Sequence, residues 1–337
     1  MCKKVTIIDI ARMAGVSTAT VSRIINNTGN VSEKKKQKVL DLIAQYDYQP
    51  NQIAKALQAS RSNTVGVIVP HINSSFYAQL FYETERCAQK SGFTLMLCNS
   101  ESKPELESQI LKDFLAADVR AIIFMGGRLD NLNCDSASIQ EIEDVSKRIP
   151  VISCVDYPGL HCVQVFQDVH SSTLDLLKHL SGRGYKDIAL LGGSTYVRTT
   201  RNRREEILNY AEDFGVNVRR EVIDSDYSVA GGYVAMSQLL DKPNRPQAVI
   251  CINDMVAAGA LSAIQNRHLR TPQDIAVTGY DNLEISRYIY HGITTIACDY
   301  IAYSEAIVNA IKQIDDLDNG SRIAVQTSLI IGGTTRL

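Results

Sequence analysis

The chain has 337 residues, 45% of them hydrophobic and 21% charged, a composition that fits a folded chain of two or three domains and excludes a disordered one. No apolar run approaches the ~18 residues of a membrane helix, and two lysines with no apolar segment precede Asp9 and Arg12, so neither a membrane span nor a secretory signal is expected. The net charge of −2 hides an asymmetry: residues 1–61 carry ten bases against four acids, a net of +6, which leaves −8 for the rest, and a basic head on an acidic body suggests a head that meets a polyanion.

The head predicts three short helices. Thr6 followed by Asp9 is a capping-box-like start, and Ile7, Ile10, Ala11 and Ala14 recur at helical spacing. Gly15 ends this helix, because a left-handed residue is cheap only for glycine. Ser17 caps a second helix over 18–26, with Val21, Ile24 and Ile25 inward. The small Ala11 and the turn at Gly15 let the two helices cross closely, as a helix-turn-helix requires. Ser32 caps a third helix that turns Val39, Leu42, Ile43 and Tyr46 inward and the lysines of 34–38 outward. A unit of this kind reads the major groove with its second helix.

Val5-Thr6-Ile7-Ile8-Asp9-Ile10-Ala11, Ala14-Gly15-Val16-Ser17, Ala19-Thr20-Val21-Ser22-Arg23, Val31-Ser32 and Tyr48-Gln49-Pro50-Asn51 stand in one order over about fifty residues, with Ala54-Lys55-Ala56-Leu57 after them. This set resembles the head of the LacI/GalR family of bacterial transcriptional regulators. The resemblance implies that Thr18, Ala19 and Arg23 face base edges. Arg23 is the best chemical candidate, since a guanidinium reaches guanine O6 and N7 together. It implies phosphate contacts for Thr6, Ser17, Thr20, Ser22, Asn26 and Tyr48, which position without specifying. Residues 51–59 correspond to a hinge helix, too short to be stable alone, in which Asn51, Ala54 and Leu57 meet DNA and Leu57 wedges into the minor groove.

From residue 65 the grammar changes. Strand-like runs at 65–69, 94–98, 121–125, 151–155, 188–191, 248–252 and 275–278 alternate with helical segments at 76–90, 104–117, 169–180, 229–240 and 255–268. Such alternation predicts parallel sheets with helices on both faces. The fold class is therefore an all-α helix-turn-helix head on an α/β core of two doubly wound, parallel-sheet lobes. That core resembles the periplasmic-binding-protein-like core of the same family, with a ligand in the cleft beyond the carboxyl ends of the strands. The expected organisation is a DNA-binding head at 1–49, a hinge at 50–61 and a ligand-binding, dimerising core at 62–337. Lobe 1 is expected at about 62–162 and 296–322 and lobe 2 at about 163–295 and 323–337, with chain crossings near 162–166, 293–300 and 321–325.

In the core the resemblance points to Ser74, Phe76, Asp156, Arg203, Tyr227, Asn253, Asp281 and Tyr300 as ligand-binding residues, with Asp281 accepting ligand hydroxyls. The family pattern is broken at Ser74-Ser75, at Glu206-Ile207 and at Phe166-Gln167-Asp168. Arg198, Arg201, Arg203 and Arg204 crowd seven positions. Arg203 alone would suit a neutral sugar, whereas Arg203 forked with a neighbour would hold a sugar phosphate. The partners expected are a near-palindromic operator DNA, a sugar or sugar phosphate, and a second copy of the chain in a homodimer, with no membrane. The alternative effectors are a nucleobase or a protein co-regulator.

An enzyme is not expected: there is no Gly-x-x-x-x-Gly-Lys-Ser/Thr loop and no Gly-x-Gly-x-x-Gly, and Gly192-Gly193-Ser194 lacks the later glycine of a nucleophile elbow. The eight cysteines and six histidines show no zinc-ligand spacing, so neither cofactor nor metal is expected and the thiols read as reduced. With these features, the family resemblance implies a cytoplasmic bacterial repressor of a carbohydrate-utilisation operon, nucleoid-associated when bound to DNA.

Overall fold

The computed structural model describes residues 5–25, 31–46, 62–289, 291–314 and 316–335. The chain separates into two compact units, Met1–Ser62 and Asn63–Leu337.

In the first unit, α1 (Ile7–Ala14), α2 (Thr18–Ile25) and α3 (Glu33–Gln45) enclose Ile10, Ala11, Ala14, Val21, Ile24 and Val39. The capping box at α1 is complete: Thr6 N donates to Asp9 Oδ2 at 3.0 Å and Asp9 N to Thr6 Oγ1 at 3.3 Å. Gly15 closes α1 in the left-handed region at φ +71°. Ser17 caps α2 by accepting from Thr20 N at 3.2 Å. Two expectations for α3 are corrected. Ser32 stands at its cap position without a side-chain hydrogen bond. Tyr46 follows the last helical turn and is exposed, because the core is already closed by Val39, Leu42 and Ile43.

The second unit holds two six-stranded sheets. The first is built from β1 (Thr64–Val69), β2 (Thr94–Asn99), β3 (Ala121–Phe124), β4 (Val151–Ser153), β5 (Val163–Asp168) and β11 (Arg322–Gln326), in the order β11-β5-β4-β3-β1-β2, all parallel. The second is built from β6 (Asp187–Leu191), β7 (Asn217–Val218), β8 (Ala248–Cys251), β9 (Ala276–Asp281), β10 (Thr294–Ala297) and β12 (Ser328–Ile330), in the order β12-β10-β9-β8-β6-β7, with only β12 antiparallel.

Helices cover both faces of each sheet. On the first, α4 (Ser75–Lys90) and α12 (Tyr300–Lys312) bury Leu80, Tyr303, Ile307 and Ile311 on one face. On its other face α5 (Pro104–Ala116) and α6 (Ser136–Ser146) bury Leu111, Phe114 and Ile142. The second sheet lies between α7 (His170–Gly182) with α8 (Arg198–Tyr210), and α9 (Val229–Leu240) with α10 (Asp254–Asn266). A short α11 (Glu284–Tyr288) follows β9. Among the described residues no helix is long and apolar enough to cross a membrane.

The middle crossing falls within the expected 293–300, and the other two lie a few residues later than expected. β5 and β11 both belong to the first sheet, paired to each other from Arg322 opposite Gln164 to Gln326 opposite Asp168. The chain therefore leaves lobe 1 after Asp168 and returns to it between Ala297 and Tyr300. It leaves again at Thr327, so lobe 1 runs to 168 and to 326, past the expected 162 and 322. Pairing of the edge strand β11 along the full length of β5, which β4 also flanks, outweighs their mixed polar sequence.

Candidate DNA-reading face and ligand cleft

α2 is amphipathic. With Val21 and Ile24 buried against α1 and α3, the opposite side presents Thr18, Ala19 and Arg23, all exposed, beside the exposed Ser17 and the half-exposed Thr20 and Ser22. Thr6 is exposed at the start of α1. Ser17 Oγ and Thr20 Oγ1 are hydrogen-bonded at 2.9 Å, so capping and an outward hydroxyl edge coexist there. The lysines at 34, 35 and 38 are exposed along α3. Asn26, Tyr48, Asn51, Ala54 and Leu57 lie outside the described residues.

In the core, the carboxyl ends of the two sheets enclose a cavity of about 870 Å³. Ser74, Phe76, Asp156, Arg203, Tyr227, Asn253 and Asp281 all line it. Arg203 is the centre of this wall. Its guanidinium donates to Asp281 Oδ1 at 3.2 Å, Gln167 Oε1 at 3.2 Å and the Ile252 carbonyl at 3.1 Å, and lies 4.6 Å from the centre of the Tyr280 ring. Its Nε is buried without a protein partner. Asp281 ends β9 at φ +93°, an unusual conformation for a residue with a side chain. Burial pushes its carboxyl above the usual range and Arg203 pulls it back.

Tyr227 turns its hydroxyl to Thr200 Oγ1 at 2.8 Å and accepts from Ser194 N at 3.4 Å. Asn253 caps α10 through Val256 N at 2.8 Å and donates to the Tyr227 carbonyl at 3.1 Å, so one side chain fixes two wall elements. Asp156 is paired with Arg322 from β11. Ser74 precedes α4 without capping it. Phe76 packs edge-on to Tyr77, with ring centres 5.3 Å apart.

Tyr300 is not brought to the wall. Its ring packs behind Phe76 at 5.8 Å and its hydroxyl is buried without a protein partner, while Tyr303, one turn further along α12, lines the cavity. The arginine fork is not formed either. Arg201 pairs with Glu205 at 3.1 Å on the exposed side of α8. Arg204 points into lobe 2, donating to the Gly192 carbonyl at 2.6 Å and to Asp224 at 2.9 Å. Successive helical residues diverge by about 100°, so two neighbours of Arg203 cannot share its direction.

The wall also contains residues that sequence reasoning missed: Asp130, Tyr77, Thr200 and the pair His170–Glu206. Asp130 accepts from Thr199 and is pushed above the usual carboxylate range by burial, which those bonds partly offset. Only the glycine pair before Arg128 marked this loop in the sequence. Among the described residues no group of three or more His, Cys, Asp or Glu is placed to hold a metal ion.

Comparison with known proteins bears on both regions. A family model described as bacterial regulatory proteins, lacI family, matches residues 6–51, and one described as a periplasmic binding protein-like domain matches residues 177–335. The chain is 30% identical to catabolite control protein A of Priestia megaterium over 298 residues, 87% of each chain. It is 33% identical to the HTH-type transcriptional regulator DegA of Bacillus subtilis (strain 168) over 297 residues, 87% of this chain and 86% of that one. It is 30% identical to the HTH-type transcriptional repressor PurR of Haemophilus influenzae (strain PittEE) over 336 residues, 97% of each chain. A solved structure of the Lac repressor dimer bound to operator and the anti-inducer ONPF superposes with a TM-score of 0.89 at 26% identity, covering 99% of this chain and all of that one.

Proposed function

The chain belongs to the LacI family of bacterial regulatory proteins, and from that membership we propose that it represses a carbohydrate-utilisation operon under the control of a neutral, hydroxyl-rich ligand. The family assignment makes it a DNA-binding transcriptional regulator with a ligand-binding core, and not an enzyme. The finer reading is a homodimer in the cytoplasm on a near-palindromic operator, each head placing Thr18, Ala19 and Arg23 on base edges and each hinge its Leu57 in the minor groove. The Lac repressor dimer bound to operator supports that arrangement.

The charge of the cavity wall carries the choice of ligand. Arg203 is the one guanidinium or ammonium among the described lining residues, and it is committed to Asp281, Gln167 and a carbonyl. Around it stand six carboxylates: Asp130, Asp156, Asp168, Glu206, Asp226 and Asp281. A phosphate would enter this field against repulsion, met only by a guanidinium already shared among three protein oxygens, whereas sugar hydroxyls donate to carboxylates and pack their ring faces on Phe76 and Tyr77. The test is a thermal-shift panel of neutral sugars, their phosphate esters and nucleobases. A neutral sugar is expected to raise Tm by on the order of 5 °C at a hundredfold excess over Kd, and its phosphate to do far less. Stabilisation by phosphate esters or nucleobases alone would overturn the reading.

A further inference from the structure

The chain passes between the lobes beside β5 and β11 of one sheet and β10 and β12 of the other, which lie at or next to the same edge of each sheet. The lobes meet again on the far half, where the loop after β3 faces the loop after β6. Asn131 and Val197 form an antiparallel bridge, and Leu132 N donates to the Tyr196 carbonyl at 2.8 Å. The Arg198 guanidinium lies 3.9 Å from the centre of the Tyr157 ring, with Nε 3.4 Å from the Leu129 carbonyl. Asp130 Oδ1 accepts from both the backbone N and the hydroxyl of Thr199, each at 2.8 Å.

Thr199 is the second residue of α8, the helix that carries Arg203, and α8 has no side-chain cap of its own. A carboxylate from the other lobe therefore takes the place of an N-terminal cap, where the helix dipole favours negative charge. The loop that presents it is fixed within lobe 1. Arg128 is fully buried and binds Glu107 at 2.7 Å, Glu141 at 2.7 Å, Ser108 at 2.8 Å and the Pro104 carbonyl at 2.6 Å. Gly127 lies at φ +70°, and a Cβ there would stand 2.1 Å from Glu107 Oε1, so the loop is seated directly on this ion pair. Asp130 follows three residues after Gly127 on a rigid support.

We propose that Asp130, with Asn131 and Leu132, is a clasp that holds the cleft shut on the side opposite the chain crossings and so sets the open–closed balance on which any ligand acts. The clasp joins the lobes through α8 itself, so its release frees the helix that positions Arg203.

Hydrogen exchange and small-angle scattering on the full chain without ligand test this, using Asp130→Ala and Thr199→Val. Asp130→Ala is expected to speed exchange on the order of tenfold or more, the weight of a charge-assisted hydrogen bond. The effect should appear in residues 129–133 and 196–200 together, with β3 and β6 unchanged and a larger radius of gyration. Thr199→Val keeps the backbone bond and should give a smaller rise in the same two segments, which keeps the test decisive should the first variant fold poorly. Unchanged exchange in those segments, or faster exchange spread through all of lobe 1, would overturn the clasp.

Discussion

The head and the core are built on opposite balances of charge and burial. The head carries +6 over residues 1–61 and closes on six buried apolar side chains among its described residues. The core carries −8 and holds four buried apolar clusters, with Arg128, Asp130, Arg203, Asp254 and Asp281 buried beside them. A small core supplies only a few kcal/mol, so the head has nothing to spend on buried charge, and its described cations Arg12, Arg23, Lys34, Lys35 and Lys38 stand at the surface, where a polyanion finds them. The large core can bear the desolvation of charged groups, and a ligand site made of them follows from that surplus.

This contrast can be broken most severely at Ile10, which is fully buried at the junction of α1 with α2 and α3. Ile10→Ala is expected to cost ~2–5 kcal/mol, comparable to the whole stability of such a head. Operator binding should vanish while the melting of the core and its response to ligand remain, read by calorimetry and fluorescence anisotropy. A single, jointly lowered transition would show that the two units are not independent.

The next largest effect concerns salt. If the heads of a dimer neutralise six to ten phosphates, operator affinity falls on the order of 10³–10⁵-fold between 50 and 200 mM salt. Arg23→Ala should then lower specific affinity by about 1–3 kcal/mol and relax preference at one base position, with little change in the salt slope. An equal loss on every sequence would move Arg23 from base reading to phosphate contact.

A smaller effect belongs to the core alone. Asp254 is fully buried under β9, accepts from Leu283 N and Thr295 Oγ1, and is pushed up to about 8 by burial and by the nearby Asp281. The folded chain thus keeps a proton that the unfolded chain releases near pH 4. This contribution to stability is full below about pH 4 and is lost as pH rises toward 8. A plot of Tm against pH should slope downward over that window in wild type and flatten in Asp254→Asn. An unchanged slope would assign the titration elsewhere.

How much was legible follows the same division. The head could be read almost residue by residue, because caps, turns and inward positions lie within four residues of one another: Thr6 with Asp9, Ser17 with Thr20, Gly15 after Ala14. The central strands of the core were legible as apolar runs. The pair at one margin was not, since Val163–Asp168 and Arg322–Gln326 mix polar and apolar residues and are held as strands by pairing with each other and, for the first, with Val151–Ser153. The cleft was legible where one residue ends a strand, as at Asp281. It was illegible where function depends on long-range direction: Tyr300 against Tyr303 on one helix, Arg204 turned from Arg203, and Asp130 reaching a residue 69 positions away.

The claim that a neutral ligand in an acidic cleft governs a basic head is tested most directly by operator affinity of the full chain, with and without the sugar identified by thermal shift, in wild type and in Asp281→Asn. Asparagine tolerates the left-handed backbone at this position and removes the charge that holds Arg203 and that, on the function proposed above, accepts the ligand hydroxyls. The account predicts equal operator affinity for the two proteins without sugar, and a sugar-dependent change in wild type that is lost or reduced at least tenfold in sensitivity in the variant. The same sugar response in both proteins would contradict it.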